Sequence, residues 1–241
     1  MTKIKTGISG LDEMLHGGIL LGKNILVSGP CGSGKTTIAM QFVLNGIKHA
    51  NEPGLYLTLE QSKEKVKEDM ASFGFDLEKY EKSGKLVILG GKIASIQEMM
   101  DRAGADISHL FEEMEEVIKE KKIKRVAIDS LNLLVLFHES NSERRRTIAR
   151  LGELLSNLGC TSILTSEIPE RSHQLSTYGI EEFIADGVIL LSRLKEEDRL
   201  VNVLSVRKMR GTNHEKDLRT YEITDDGVKI YHNRGSLVSE I

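Results

Sequence analysis

The sequence predicts an α/β domain with a mostly parallel sheet flanked by helices, and three observations lead there. An apolar strand at residues 24–28 runs into a glycine-rich stretch and then into a helical pattern. Downstream, β-branched runs alternate with amphipathic stretches of helical period, the order that builds βαβ units. The last quarter gives up helices for strands joined by polar turns such as Asp225-Asp226-Gly227, a hairpin pattern that extends the sheet at one edge.

The elements follow in order. Residues 24–28, Asn-Ile-Leu-Val-Ser, have the unbroken apolar character of a buried parallel strand. Ile38, Phe42, Val43, Leu44 and Ile47 then recur at helical spacing until Asn51-Glu52-Pro53-Gly54 stops the segment. Residues 55–59 make a second strand, about residues 63–72 a helix, and residues 86–89 a third strand. Ile107, Leu110, Phe111, Met114, Val117 and Ile118 form the apolar stripe of a helix whose other face is glutamate-rich and solvated. Residues 125–129 are a strand ending in Asp129, residues 142–158 a helix, and residues 161–165 a strand. Strands at 188–191, 200–206, 220–224 and 228–231 close the chain. No linker or internal repeat interrupts this order, so residues 1–241 are expected to form one domain.

Composition narrows the class. Of 241 residues, 33 are Lys or Arg and 36 are Asp or Glu, so no global field favours nucleic acid or a membrane surface. Two cysteines, one inside the glycine-rich stretch, do not make a disulfide framework and point to a reducing cytoplasm. No apolar stretch reaches membrane-spanning length and no signal-peptide core follows Met1.

The chemistry is concentrated in Gly29-Pro30-Cys31-Gly32-Ser33-Gly34-Lys35-Thr36-Thr37, which fits the phosphate-binding pattern G-x-x-x-x-G-K-[ST]. Glycines allow the backbone to approach phosphates closely, and the loop amides with the following helix terminus form an anion nest. Lys35 is placed to reach the β- and γ-phosphates of ATP, and Thr36 to offer its hydroxyl to Mg²⁺. Asp129, at the end of an apolar strand downstream, is the second magnesium-side ligand expected in such a site. Glu60 follows the second strand, on the side where parallel sheets bind ligands, and there it can orient a water for in-line attack.

With these residues stated, the chain resembles the RecA/RadA superfamily, and most closely the KaiC-like ATPases, along nearly its whole length. The matching pieces are Thr6-Gly7-Ile8-Ser9-Gly10-Leu11-Asp12 with Gly17-Gly18, the phosphate loop, Phe42-Val43-Leu44-Asn45-Gly46 and Tyr56-Leu57-Thr58-Leu59-Glu60. After them come Ser72-Phe73-Gly74-Phe75-Asp76-Leu77, Ile128-Asp129-Ser130, Thr165-Ser166-Glu167, the segment from Tyr178 to Gly187, and Lys208-Met209-Arg210-Gly211-Thr212-Asn213-His214.

The resemblance implies a RecA-like P-loop fold and a homo-oligomer, usually a hexameric ring, with nucleotide held between subunits. By the same match Lys208 and Arg210 act in trans on the γ-phosphate of the next subunit, as an arginine finger does. It also implies that His214, Thr224 and Asp225 lie near the neighbour's nucleotide, that Ser72 lies near the base in cis, and that Glu167 senses the γ-phosphate.

Three departures bear on this. Clock-type relatives carry two carboxylates where this chain has Glu60-Gln61, so hydrolysis rests on Glu60 and is expected to be slow. They also carry two tandem domains, and the single copy here makes a clock role unexpected. The helical DNA-binding extension of the RadA recombinases is missing, so autonomous strand exchange is not expected. Three readings stay open: an Mg²⁺-dependent ATPase oligomer, a nucleotide-switched module read by a protein partner, and a DNA recombination or repair accessory. The last relies on Pro169-Glu170-Arg171-Ser172-His173-Gln174, at the position of a recombinase channel loop, and on Arg144-Arg145-Arg146; a solvated or subunit-facing helix surface is the simpler reading of those arginines.

Overall fold

A computed structural model describes residues 2–91, 107–136, 138, 140–170, 172, 174–196 and 198–232. Among them, nine strands form one sheet in the spatial order β11-β10-β9-β8-β3-β7-β6-β4-β5. The strands are β3 (Asn24–Gly29), β4 (Gly54–Thr58), β5 (Leu86–Gly90), β6 (Arg125–Asp129), β7 (Thr161–Glu167), β8 (Gly187–Glu196), β9 (Arg199–Met209), β10 (Arg219–Thr224) and β11 (Gly227–Ile230). The first two strands, β1 (Lys3–Ile4) and β2 (Ile19–Leu20), make a separate antiparallel pair flanking the short helix α1 (Leu11–Met14).

Pairing is parallel from β8 through β3, β7, β6 and β4 to β5, and antiparallel among β8, β9, β10 and β11. The expected mostly parallel sheet with a hairpin edge is therefore the observed one. Alternation along β3 sends Ile25 and Val27 into the core on one face and Leu26 into the core on the other.

The first face is covered by α2 (Lys35–Asn45). Apolar side chains surround this helix, with Ile38, Ala39, Met40, Phe42, Val43 and Leu44 all buried, which is the pattern of a helix enclosed by protein. It widens into a π turn at Gly46–Ala50 where the side chain of Arg125 crosses. A β-carbon on Gly46 would lie 2.3 Å from Cδ of Arg125, so only glycine admits this approach. Arg125 is buried there: its Nη1 donates to Phe42 O at 3.1 Å, its guanidinium stacks on the Phe42 ring, and its Nε pairs with Glu52 at 2.7 Å.

The opposite face is covered by α5 (Ile107–Lys121) and α7 (Asn141–Asn157). Phe111, Met114 and Ile118 of α5 join Ile148, Leu151 and Leu155 of α7 in the second core, with the glutamates of α5 turned outward. A capping box starts α7, Ser140 accepting from Glu143 N while the Glu143 carboxylate accepts from Ser140 N. Helices α3 (Lys63–Ala71), α4 (Leu77–Lys82), α6 (Leu131–Leu134) and α8 (Glu181–Ile184) complete the described set. Ser62 and Asp76 cap α3 and α4 by accepting from backbone N–H groups three residues on.

Candidate nucleotide site

The sheet brings the carboxyl ends of β3, β4, β6 and β7 to one edge, and consecutive strands β3 and β4 are separated there by β7 and β6. Such a break in strand order leaves the crevice where open parallel sheets bind ligands. The phosphate loop leaves β3 at this edge and α2 begins at Lys35, with Gly34 left-handed at φ 88°. The close packing of Ile223 and Val228 against Gly34 leaves little room for any larger residue.

Lys35 is buried, and its ammonium donates to Gly29 O and Pro30 O, both at 2.9 Å. Burial pulls its pKa down, while Glu167, Asp129 and Glu60 pull it back up. Its Nζ lies 3.9 Å from Glu167 Oε2, so the residue expected as a γ-phosphate sensor faces the loop lysine. Thr36 donates its hydroxyl to Asp129 Oδ2 at 2.7 Å. Tyr56 donates to the same oxygen at 2.7 Å, and Thr165 donates to Oδ1. Burial, then the Asp129 charge, raises the Tyr56 pKa well above the ordinary range, which keeps its phenol a donor. Asp129 is thus a buried carboxylate that accepts from three hydroxyls.

Glu60 stands across a cleft lined by Thr36, Thr58, Gln61, Asp69, Met70, Ser72, Phe73 and Asp129. Its Oε1 accepts from Ser130 Oγ at 2.6 Å. Desolvation raises its pKa and the Ser130 bond counters in part, with the Asp129 charge adding to the rise. On its other side Glu60 borders a second cavity walled by Asn132, Leu133, Glu167, Ile168, Pro169 and Thr177. Gln61 does not join Glu60; its amide donates to Asp69 at 2.9 Å, tying the end of β4 to α3. Ser72 lines the cleft.

The loop's polar atoms suit an anionic group with a metal ion. Ser33 Oγ is buried with no hydrogen-bond partner in the described structure. A hydroxyl left unpaired in such a loop is an explanation-seeking exception, and a phosphate oxygen would satisfy it. Thr36 and Asp129 offer hard oxygen donors of the kind Mg²⁺ favours beside nucleotide phosphates.

Other expected residues fall elsewhere. Lys208 donates to Glu182 O and Ala185 O at 2.7 and 2.6 Å, and Arg210 donates to Phe183 O at 3.0 Å. Lys208 pairs with Val188, which pairs with Leu26, whereas the loop leaves β3 at Gly29. That three-residue offset is about 10 Å along the strands, on the far side from the chain's own loop. His214 lies on the loop after β9, its Nδ1 2.9 Å from Glu215 O, and Glu215 N donates to Met14 O of α1. Thr224 and Asp225 sit at the β10–β11 turn, whose strand residues Ile223 and Val228 pack on the chain's own Gly34. Tyr221 of the same strand donates to Ser33 O at 2.6 Å, so this hairpin belongs to the home loop. Thr37 is buried in the first turn of α2.

Arg144 stacks on the Tyr178 ring, 4.6 Å from its centroid, and donates to Asn141; Arg145 and Arg146 are exposed. Arg171 and His173 lie outside the described residues. Sequence reasoning missed Arg193, whose guanidinium donates to Cys31 O at 2.9 Å and to Glu170 Oε1 at 3.2 Å. No local motif marks it, because its contact depends on the pairing of β8 with β3.

A family model described as "ATPase: KaiC" matches residues 4–235. The circadian clock oscillator protein KaiC of Acaryochloris marina is 38% identical over 232 residues, covering 96% of this chain and 44% of that protein. The KaiC protein of Synechococcus elongatus is 36% identical over the same shares. The chain therefore spans about half the length of the curated relatives it matches. A KaiC-like protein of the archaeon Pyrococcus horikoshii, solved by crystallography, superposes with a TM-score of 0.85 at 36% identity, covering 96% of this chain and 99% of that one. The chain belongs to the KaiC-like ATPase family, on a RecA-like fold with a single KaiC-type domain in the sequence.

Proposed function

We propose that the chain is an Mg²⁺-dependent ATPase that binds ATP at the phosphate loop and hydrolyses it to ADP and phosphate in a pocket completed by a second copy. The observation that carries the reading is the contact of Thr36 with Asp129, set beside Lys35 and facing Glu60 across one cleft.

Each residue has a part. The loop amides and Lys35 hold the β- and γ-phosphates, and Lys35 exchanges its two carbonyl partners for phosphate oxygens. Thr36 and Asp129 hold Mg²⁺. When bound there, Mg²⁺ would supply positive charge against the charge that develops on the phosphate oxygens. Glu60, steadied by Ser130, accepts a hydrogen bond from the attacking water and aligns it with the γ-phosphorus. Ser72 lies toward the base, and Thr224 and Asp225, at the home hairpin, are assigned to the chain's own nucleotide.

Charge supports the second copy. Within one chain Glu60, Asp129 and Glu167 surround Lys35, Arg193 at the loop crown is paired with Glu170, and a nucleoside triphosphate adds further negative charge. Lys208 and Arg210 are too far from the home loop to offset it, so we assign them, with His214, to the pocket of the adjoining subunit in a closed, usually six-membered ring. Gln61, engaged by Asp69, leaves Glu60 as sole base, and on this reading turnover is slow. The same feature favours a second reading, in which ATP occupancy chiefly sets assembly and a protein partner reads it. Among the described residues no helix is long and apolar enough to cross a membrane. Free thiols at Cys31 and Cys160 suit a reducing compartment, and we place the protein in the cytoplasm.

The test is phosphate release from MgATP by wild type and Glu60→Gln, with ATP binding measured in parallel. Release in the wild type that is lost in a variant still binding ATP supports the reading; equal release in both overturns it.

A further inference from the structure

The pairing of β3 with β8 ends at Ser28 and Leu190, yet β8 runs on to Glu196. This overhang carries Arg193 past the end of β3 and over the phosphate loop. There its Nη2 donates to Cys31 O at 2.9 Å and lies 3.1 Å from where a β-carbon on Gly32 would sit. Its Nη1 reaches Glu170 at 3.2 Å, just beyond the end of β7. The two prongs of one planar guanidinium therefore join the crown of the loop to the segment after β7. Arg193 is partly buried and Glu170 is half-exposed. A flexible ammonium cannot make both bonds in this fixed fork geometry.

We propose that Arg193 is a positioning residue that holds the phosphate loop in its nucleotide-accepting shape and couples loop occupancy to the Glu170 segment. This rests on the reading of the loop as an ATP site. Holding Cys31 O outward keeps the neighbouring amides turned into the nest, and the guanidinium charge adds to the field that draws phosphate. Loss of the tie lets the loop sample other shapes, so affinity falls by the fraction of time the loop is competent. The chemical step, at Glu60, is left alone.

The chain supplies its own probe. Cys31 is exposed on the loop, while Cys160 is buried and its thiol pKa is pushed up to about 11, so a thiol reagent reports on Cys31 alone. The experiment compares wild type, Arg193→Ala, Arg193→Lys, Glu170→Gln and the double Arg193→Ala/Glu170→Gln variant, each full-length and checked for its melting transition. Iodoacetamide alkylation of Cys31 is timed with and without MgATP, alongside ATP half-saturation and turnover.

The expected result is alkylation about fivefold faster in Arg193→Ala without nucleotide, and half-saturation about tenfold higher with turnover within about twofold. Arg193→Lys recovers part of the loss, Glu170→Gln shifts both readouts the same way by less, and the double variant is no worse than Arg193→Ala. Wild-type alkylation and wild-type half-saturation in Arg193→Ala overturn the proposal, as does a double variant whose losses add. If Arg193→Ala does not fold, Arg193→Lys and Glu170→Gln decide on the same readouts. A wild type that neither binds MgATP nor has Cys31 protected by it overturns the nucleotide reading instead. In that event the alkylation rates without nucleotide still decide whether Arg193 holds the loop.

Discussion

Thr36 and Asp129, 93 residues apart in the chain, are joined by one hydrogen bond of 2.7 Å from the threonine hydroxyl to Oδ2 of the aspartate. The first turn of the loop helix and the end of β6 thereby share one charged group, which Tyr56 and Thr165 also hold. Three hydroxyls thus fix the orientation of one buried carboxylate.

Asp129→Asn removes the charge and keeps most of the shape. Phosphate release is expected to fall about 100-fold, the scale on which one preorganised charge-stabilising group acts. The Mg²⁺ concentration for half-maximal release should rise with it. Asp129→Ala leaves buried hydroxyls without an acceptor, each costing about 1–3 kcal/mol, and its urea midpoint should drop below that of Asp129→Asn. Unchanged Mg²⁺ dependence in Asp129→Asn would show that the carboxylate does not serve the metal.

The phosphate loop, the strand-end acids and the alternation of strands and helices were legible because each is a local pattern. Gly34, Lys35 and Thr36 are neighbours, and Asp129 announces itself by ending an apolar run. What Asp129 touches was not legible, since Tyr56 and Thr165 reach it only through the pairing of β6 with β4 and β7. Arg193 was hidden for the same reason: on paper it is one charge in a polar hairpin. The β10–β11 turn shows the limit from another side. Its strand residue Ile223 packs on Gly34 of the home loop, a contact that no local pattern announces. The two-residue strands β1 and β2 are too short to carry a period, and α4 spans less than two turns.

Glu60 makes stability and activity depend on pH in opposite senses. Desolvation first, then Asp129, raises its folded-state pKa above the unfolded value, so the folded chain holds that proton more tightly. Stability is therefore lost as pH rises from the unfolded value through the raised one, and the penalty is complete above it. Glu60→Gln should melt higher than wild type at neutral pH and show no gain below about pH 4, where both states are protonated. Wild-type phosphate release should fall as pH drops through the raised value, because a protonated Glu60 cannot accept from water. Equal melting differences at both pH values would contradict the assigned shift.

Arg125 offers a check on the scaffold alone. It is buried against Phe42 and pairs with Glu52, so Arg125→Ala removes one partner of a largely sheltered ion pair and one of the two donors to Phe42 O, the other being Gly46 N. A loss of about 3 kcal/mol in urea unfolding is expected. A loss below about 1 kcal/mol would mean that solvent reaches the pair and screens it.

The shared pocket is tested most directly by mixing two inactive variants, Lys35→Ala and Arg210→Ala, and measuring phosphate release from MgATP. Each variant alone is expected to release phosphate at background rate. In a random mixed ring about a quarter of the interfaces join an intact loop to an intact Arg210, so the mixture should recover about a quarter of wild-type release. A mixture no more active than its parts, from a wild type that does hydrolyse ATP, would contradict a site built by two copies.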